Sequence, residues 1–258
     1  MDPPIILDAL IDLSGTLHIG DSVIDGAVDA INRLQQSSIG VTFLTNTSTK
    51  SSIKLLEQLQ ALGFTINTPL LTSVLATKEY LIQHKLRPLC LMEDTSDFSP
   101  QVPLDAPHNA VVVGFAPTHF HYELINQAFR LLLHQPEAPL IAIHRAPYIR
   151  DSDGDLSLGP GGFVACLEHA TKRQAIVMGK PNREFFATAN VASWQTTVMV
   201  GDDWKQDIMG SKEAGIGHTI LVKTGKYQEG DEEKCQPTFL AEHIGQAVDY
   251  ILNKCRDN

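Results

Sequence analysis

Short apolar runs that end on polar residues, each followed by a stretch with helical spacing, constrain this chain more than any other feature. Ile5 to Leu13 is apolar apart from Asp8 and Asp12 and predicts a buried strand. Ala27 to Gln35 follows, with Ala27, Ala30, Ile31 and Leu34 spaced for one helix face. Val41 to Thr45 predicts a second strand. Ile53, Leu55, Leu56, Leu59 and Leu62 predict a second helix ended by Gly63, and a third is expected from Ser73 to about His84. The pattern returns late in the chain as a strand over Thr197–Val200, a helix over Asp207–Ala214 stopped by Gly215, a strand over Thr219–Val222 and a closing helix over Glu242–Leu252. This order predicts an α/β fold built on a largely parallel sheet.

Between the two halves the texture changes. Pro100, Pro103 and Pro107 stand among polar residues, and two more prolines with four glycines fall between 145 and 162. Strands are expected at Pro88–Met92, Ala110–Phe115 and Leu140–His144, with helices at about 121–134 and 163–171. The reading is a small α/β domain over 86–177 inserted into a larger one formed by 1–85 and 178–258.

Composition removes several function classes. Twenty Lys and Arg face thirty Asp and Glu, a formal charge of −10, and no local basic stripe exists to hold a phosphate backbone, so no nucleic-acid partner is expected. The cysteines Cys90, Cys166, Cys235 and Cys255 form no CxxC pair, which argues against zinc ribbons and a disulfide framework. The N-terminus lacks a basic flank, and no segment reaches 18 apolar residues, so neither a signal peptide nor a membrane partner is expected. A reduced, cytoplasmic protein is the expectation.

Chemistry in an open α/β sheet gathers at the carboxyl ends of the strands. Asp12 closes the first predicted strand and enters the turn Asp12-Leu13-Ser14-Gly15-Thr16. Thr45-Asn46 closes the second, Lys180 lies in Gly179-Lys180-Pro181, and Gly201-Asp202-Asp203 with Asp207 follows the strand at 197–200. Clustered carboxylates repel one another unless a hard cation neutralises them, and oxygen ligands suit Mg²⁺. A lysine and small polar groups beside that cation make a phosphoryl cradle. An aspartate held there can attack phosphorus. The bland alternatives are a tight turn at 12–16, and helix capping by Thr45, Asn46, Ser48 or Thr49.

The motifs DLSGT (12–16), TN (45–46), GKP (179–181) and GDDWKQD (201–207), in this order, resemble the four motifs of haloacid dehalogenase (HAD) superfamily phosphohydrolases. The insertion after the second motif resembles that superfamily's type 2 cap. The resemblance implies a Rossmann-like core with an inserted α/β cap, and Mg²⁺-dependent hydrolysis of a small phosphorylated substrate. It implies Asp12 as the nucleophile that becomes aspartyl-phosphate and Lys180 as its catalytic partner. Asp12, Leu13, Ser14, Thr45, Asn46 and Lys180 would surround the phosphoryl group. Asp12, Ser14 (through its backbone carbonyl), Asp202, Asp203 and Asp207 would form the metal set. A homodimer through the cap is a further expectation from the resemblance.

One position departs from the family pattern. Most phosphatases of the superfamily carry Asp where this chain has Ser14, and a serine hydroxyl cannot protonate a leaving group near neutral pH. Positioned acid–base catalysis contributes about 10²–10⁴-fold. The expected preference is therefore for pyrophosphate, aryl phosphates or P–N bonds. The alternative is a weak or inactive scaffold with a binding or regulatory role. Other motif-like stretches fail on chemistry. The run 151–155 opens like an EF-hand loop but places Leu156 where Gly is needed, and Asp153-Gly154 reads better as a hairpin turn. His119 and His121 have no carboxylate partner evident in sequence. The stretch His144-Arg145-Ala146-Pro147-Tyr148 with Arg150 is the candidate region for substrate choice.

Overall fold

A computed structural model describes residues 5–150 and 155–255 of the chain. Strand β1 (Asp8–Ile11) leads through a small hairpin, β2 (His18–Ile19) and β3 (Ser22–Val23), into α1 (Ala27–Gln35). Next come β4 (Gly40–Thr45), α2 (Ser52–Ala61), β5 (Leu70–Thr72) and α3 (Ser73–Gln83). The middle of the chain forms β6 (Pro88–Leu91), β7 (Ala110–Val113), α4 (Tyr122–His134), β8 (Leu140–Ala142), β9 (Tyr148–Arg150), β10 (Leu156–Leu158), α5 (Gly161–Thr171) and β11 (Ile176–Val177). The last part runs α6 (Arg183–Ala187), β12 (Thr197–Gly201), a π-type helix (Trp204–Met209), α7 (Gly210–Ala214), β13 (His218–Val222), α8 (Asp231–Cys235), β14 (Phe239–Ala241) and α9 (Ile244–Cys255).

Six strands form a parallel sheet in the order β14-β13-β12-β1-β4-β5. Alternation along its strands feeds two cores. Ala9, Ile11, Val198 and Val200 face α1 and α9, while Leu10, Met199 and Leu44 face Phe185, Phe186 and Ala214. A sheet covered on both faces needs such near-continuous apolar strands. A second parallel sheet, β11-β8-β7-β6, lies within Pro88–Val177. Val111, Val113 and Ala142 pack on its α4–α5 side. Val112 and Ile141 pack on the other with Phe98 and with Val74 and Leu81 of α3.

The sequence reading and the structure differ in places. The first strand is shorter than Ile5–Leu13, because residues beyond Ile11 leave the ladder for the turn. The helix expected from Asp207 starts at Trp204, where Asp203 caps it by accepting from the Lys205 and Gln206 N–H groups. The edge strands β5 and β14 and the hairpin β2–β3 are too short to carry a period. The helix α2 does not draw its cap from 45–49. The N–H groups of Ser51 and Ser52 donate instead to Asp94 and Asp97, across to the second sheet's loops. The Asp153-Gly154 turn lies outside the described residues, though β9 and β10 on either side pair antiparallel. Among the described residues, no helix is long and apolar enough to cross a membrane.

Candidate active site

The carboxyl ends of β1 and β12 meet where the strand order of the large sheet reverses. The Asp12 N–H donates to the Val200 carbonyl at 2.9 Å, which sets the end of β1 against the Gly201-Asp202 turn. Such a switch point opens a crevice above the strand ends. Asp12 is 5% exposed in it. The Thr16 hydroxyl donates to its Oδ2 at 3.1 Å, and the Lys180 ammonium donates to its Oδ1 at 2.5 Å. Lys180 also donates to the Leu44 carbonyl at 3.2 Å and pairs with Asp207 Oδ1 at 2.7 Å. Burial alone would strip its charge. Asp12 and Asp207 outweigh burial and raise its pKa above the ordinary lysine value.

Ligand oxygens of Asp12, Asp202 and Asp207 lie within 4.8 Å of one another, and all three residues are buried. Burial and the neighbouring Asp12 charge push the Asp202 carboxyl well above the usual range. Asp207 rises to about 7, pushed by burial and by Asp12 and Asp203 against the pull of Lys180. Carboxylates so crowded are short of positive charge, which is the environment a hard, oxygen-ligated divalent cation fits. The backbone supports the same fit. Gly15 and Gly225 both adopt positive φ, +90° and +58°, and a Cβ on either would run into Asp202. The Lys226 N–H donates to Asp202 Oδ2 at 2.7 Å and holds it in that slot.

A cavity of about 190 Å³ opens over this cluster. Asp12, Ser14, Thr45, Asn46 and Lys180 line it, as do Asp202, Asp203 and Asp207. Leu13 does not; its side chain is fully buried in the core beside α1, leaving only its backbone for the site. Asp203 stands apart from the three-carboxylate group. Its Oδ2 pairs with Lys226 Nζ at 3.2 Å, and Lys226 with the capped N–H groups holds its pKa below the ordinary value despite burial. Asn46 commits its amide to the protein, accepting from the Lys180 N–H at 2.9 Å and donating to the Lys180 carbonyl and to Gln206. It therefore aims the lysine. Thr45 bonds to Thr47 through both its hydroxyl and the Thr47 N–H.

The lining residues Gln206, Gly225 and Lys226 have no role assigned from sequence, and Ser48 is read there only as a helix-cap alternative. Lys226 follows β13 in the turn Thr224-Gly225-Lys226-Tyr227, a strand-end position like the others, and that was the available signal. The middle segment contributes Phe115, His144 and Ile149. His119 and His121 are partnered by carboxylates after all, Glu93 at 3.7 Å and Glu123 at 3.1 Å, on the surface away from this cluster.

A doubly covered parallel sheet with buried carboxylates and a lysine at its switch point is the scaffold of a HAD-type hydrolase. Residues 9–98 match the model of the haloacid dehalogenase-like hydrolases, and 177–247 match a second, HAD-hydrolase-like model. The chain belongs to this family. It is 47% identical over 251 residues to the haloacid dehalogenase-like hydrolase domain-containing protein 2 of Bos taurus, covering 94% of this chain and 95% of that protein. It is 35% identical over 255 residues to the phospholysine phosphohistidine inorganic pyrophosphate phosphatase of Mus musculus, covering 94% and 93%. A 4-nitrophenylphosphatase from Thermotoga maritima superposes with a TM-score of 0.84 at 25% identity, covering 95% of this chain and 97% of that one.

Proposed function

We propose that the protein is a Mg²⁺-dependent phosphatase that passes the phosphoryl group of a small phosphorylated substrate to Asp12 and then to water. The observation that carries this reading is the environment of Asp12. One oxygen is fixed by Lys180 and the other by Thr16, at the floor of a cavity, within reach of Asp202 and Asp207. A carboxylate oriented in this way is a nucleophile held ready for phosphorus. The phosphatase names of the relatives support the same chemistry.

Asp12, Asp202 and Asp207 would hold the cation, with the Ser14 backbone carbonyl beside them. When bound, Mg²⁺ supplies charge neutralisation for the carboxylates and the phosphoryl oxygens. Lys180 neutralises further negative charge, and Lys226, drawn in by Asp203 and Asp202, adds a second cation at the cavity wall. The residues of 86–177 that line the cavity exclude water from the reacting group. Pyrophosphate, aryl phosphates and P–N compounds are the proposed substrates, because Ser14 supplies no proton to a leaving group.

The test is phosphate release with and without Mg²⁺ from p-nitrophenyl phosphate, pyrophosphate, a phosphoramidate and several alkyl phosphates, with Asp12→Asn beside the wild type. Mg²⁺-dependent release that vanishes in Asp12→Asn is the expected result. Tight Mg²⁺ binding with no release from any compound would favour the binding-scaffold alternative that Ser14 raises.

A further inference from the structure

Displacement at phosphorus is in-line, so the leaving oxygen emerges on the side turned away from Asp12. Among the described residues, the cavity side chains supplied by the second sheet and its loops are Phe115, His144 and Ile149. Of these, only His144 carries a polar side chain. It lies two residues past the end of β8, and the chain is anchored there: the Ile143 carbonyl accepts from the Gly179 N–H at 2.9 Å, one residue before Lys180. His144 is 5% exposed and lines the same cavity as Asp12.

The hydrogen bonds around the ring assign its tautomer. The Ala146 N–H points at Nδ1 at 3.4 Å, so Nδ1 is the acceptor and Nε2 carries the proton. That Nε2–H has only a long contact, 3.5 Å, to the Ser48 hydroxyl oxygen, which already accepts from the Phe115 N–H at 2.9 Å. A buried donor so weakly engaged is available to a better acceptor. Burial, Lys226 and Lys180 push the imidazole pKa down to about 3, so the ring remains neutral at physiological pH.

We infer that His144 donates its Nε2–H to the leaving oxygen of the substrate, and that Phe115 and Ile149 receive an apolar or aromatic group attached to that oxygen. The inference rests on the phosphatase reading and narrows its substrates to phosphate esters of weakly basic, aromatic alcohols. As the Asp12–phosphorus bond forms, the phosphorus–oxygen bond breaks and its electron pair stays on the leaving oxygen. The group departs as a phenolate steadied by Nε2–H. The nitrogen keeps its proton, and the phenolate takes one from water on release. A neutral donor suits a leaving group that needs stabilisation without full proton transfer, which is the need that Ser14 creates.

The experiment compares p-nitrophenyl phosphate with phenyl phosphate, whose leaving group is more basic, in wild type, His144→Phe and His144→Gln. Loss of a donor at a developing oxyanion reduces kcat by about 10²-fold. His144→Phe is expected to lose that much on phenyl phosphate and less than tenfold on p-nitrophenyl phosphate, with His144→Gln recovering most of the loss. Equal losses on both esters, or none, overturn the assignment. His144→Asn, whose amide is too short to reach, is read the same way should the phenylalanine variant not fold. Wild-type protein that hydrolyses neither ester but releases phosphate from pyrophosphate or a phosphoramidate overturns this inference alone; release from none of these compounds overturns the phosphatase reading, and this inference with it.

Discussion

The ammonium of Lys180 stands 2.5 Å from Oδ1 of Asp12, a carboxylate 168 residues earlier in the chain. The same ammonium reaches Asp207, so one buried cation serves two buried anions that would otherwise repel. Removing one partner of a buried pair leaves uncompensated charge and costs about 3–5 kcal/mol. Lys180→Met is therefore expected to destabilise the protein by several kcal/mol in urea unfolding and to abolish phosphate release. An unchanged unfolding midpoint would show that the pair contributes nothing to stability.

The carboxylate cluster makes stability depend on pH in a direction opposite to that of a paired carboxylate such as Asp94, where burial is outweighed by the Lys54 and Ser96 hydrogen bonds that lower its pKa. Asp207 titrates near 7 in the folded protein against an ordinary value of 3.8, and Asp202 is displaced in the same direction. Between those values the folded state binds more protons than the unfolded one, so stability falls as pH rises. The metal-free protein is expected to lose several degrees of Tm between about pH 4 and pH 7. Excess Mg²⁺ is expected to flatten or reverse that slope, because cation binding favours the deprotonated carboxylates. Thermal denaturation in EDTA and in Mg²⁺ across this range checks both.

Ser14 is exposed at the cavity, two residues after Asp12 in the 12–16 turn. Ser14→Asp places an acid where the chain has none. Turnover of alkyl phosphates is expected to rise by about 10²-fold or more, within the range of positioned acid catalysis, with much less gain on p-nitrophenyl phosphate. An equal gain on both substrates would refute the role assigned to this position.

Gly225 meets the same Asp202 Oδ2 as Gly15 and lies directly against the Gly15 Cα, and its φ of +58° is unfavourable for any side chain. Gly225→Ala is expected to displace the Asp202 carboxylate and weaken Mg²⁺ binding by at least tenfold, a cost of about 1.4 kcal/mol. A Mg²⁺ titration of phosphate release, or calorimetry, measures it. Gly26→Ala makes the control, since φ there is +74° but nothing lies within 4 Å of the added Cβ.

Much of the framework could be read directly from the residues. The helix over Ala27–Gln35 follows from its 3.6-residue period, and the strands near 41–45 and 197–200 follow from short continuous apolar runs, because both faces of the sheet are covered. Asp12, Asp202 and Lys180 stood out because strand ends are where an open α/β sheet exposes chemistry. Tertiary structure decided the rest. Asp203 and Asp207 look alike in sequence, yet one turn of π-type helix sends Asp207 to Lys180 and leaves Asp203 as a cap paired with Lys226. Asn46 reads as a phosphate ligand or a helix cap, and only the approach of Gly179-Lys180 makes it the residue that aims the lysine. His144 stood out in sequence only as part of the polar stretch 144–148, with nothing to set it apart from Arg145 or Tyr148. Its proximity to Asp12 depends on how the second sheet packs over the first, a contact between distant segments that no spacing along the chain encodes.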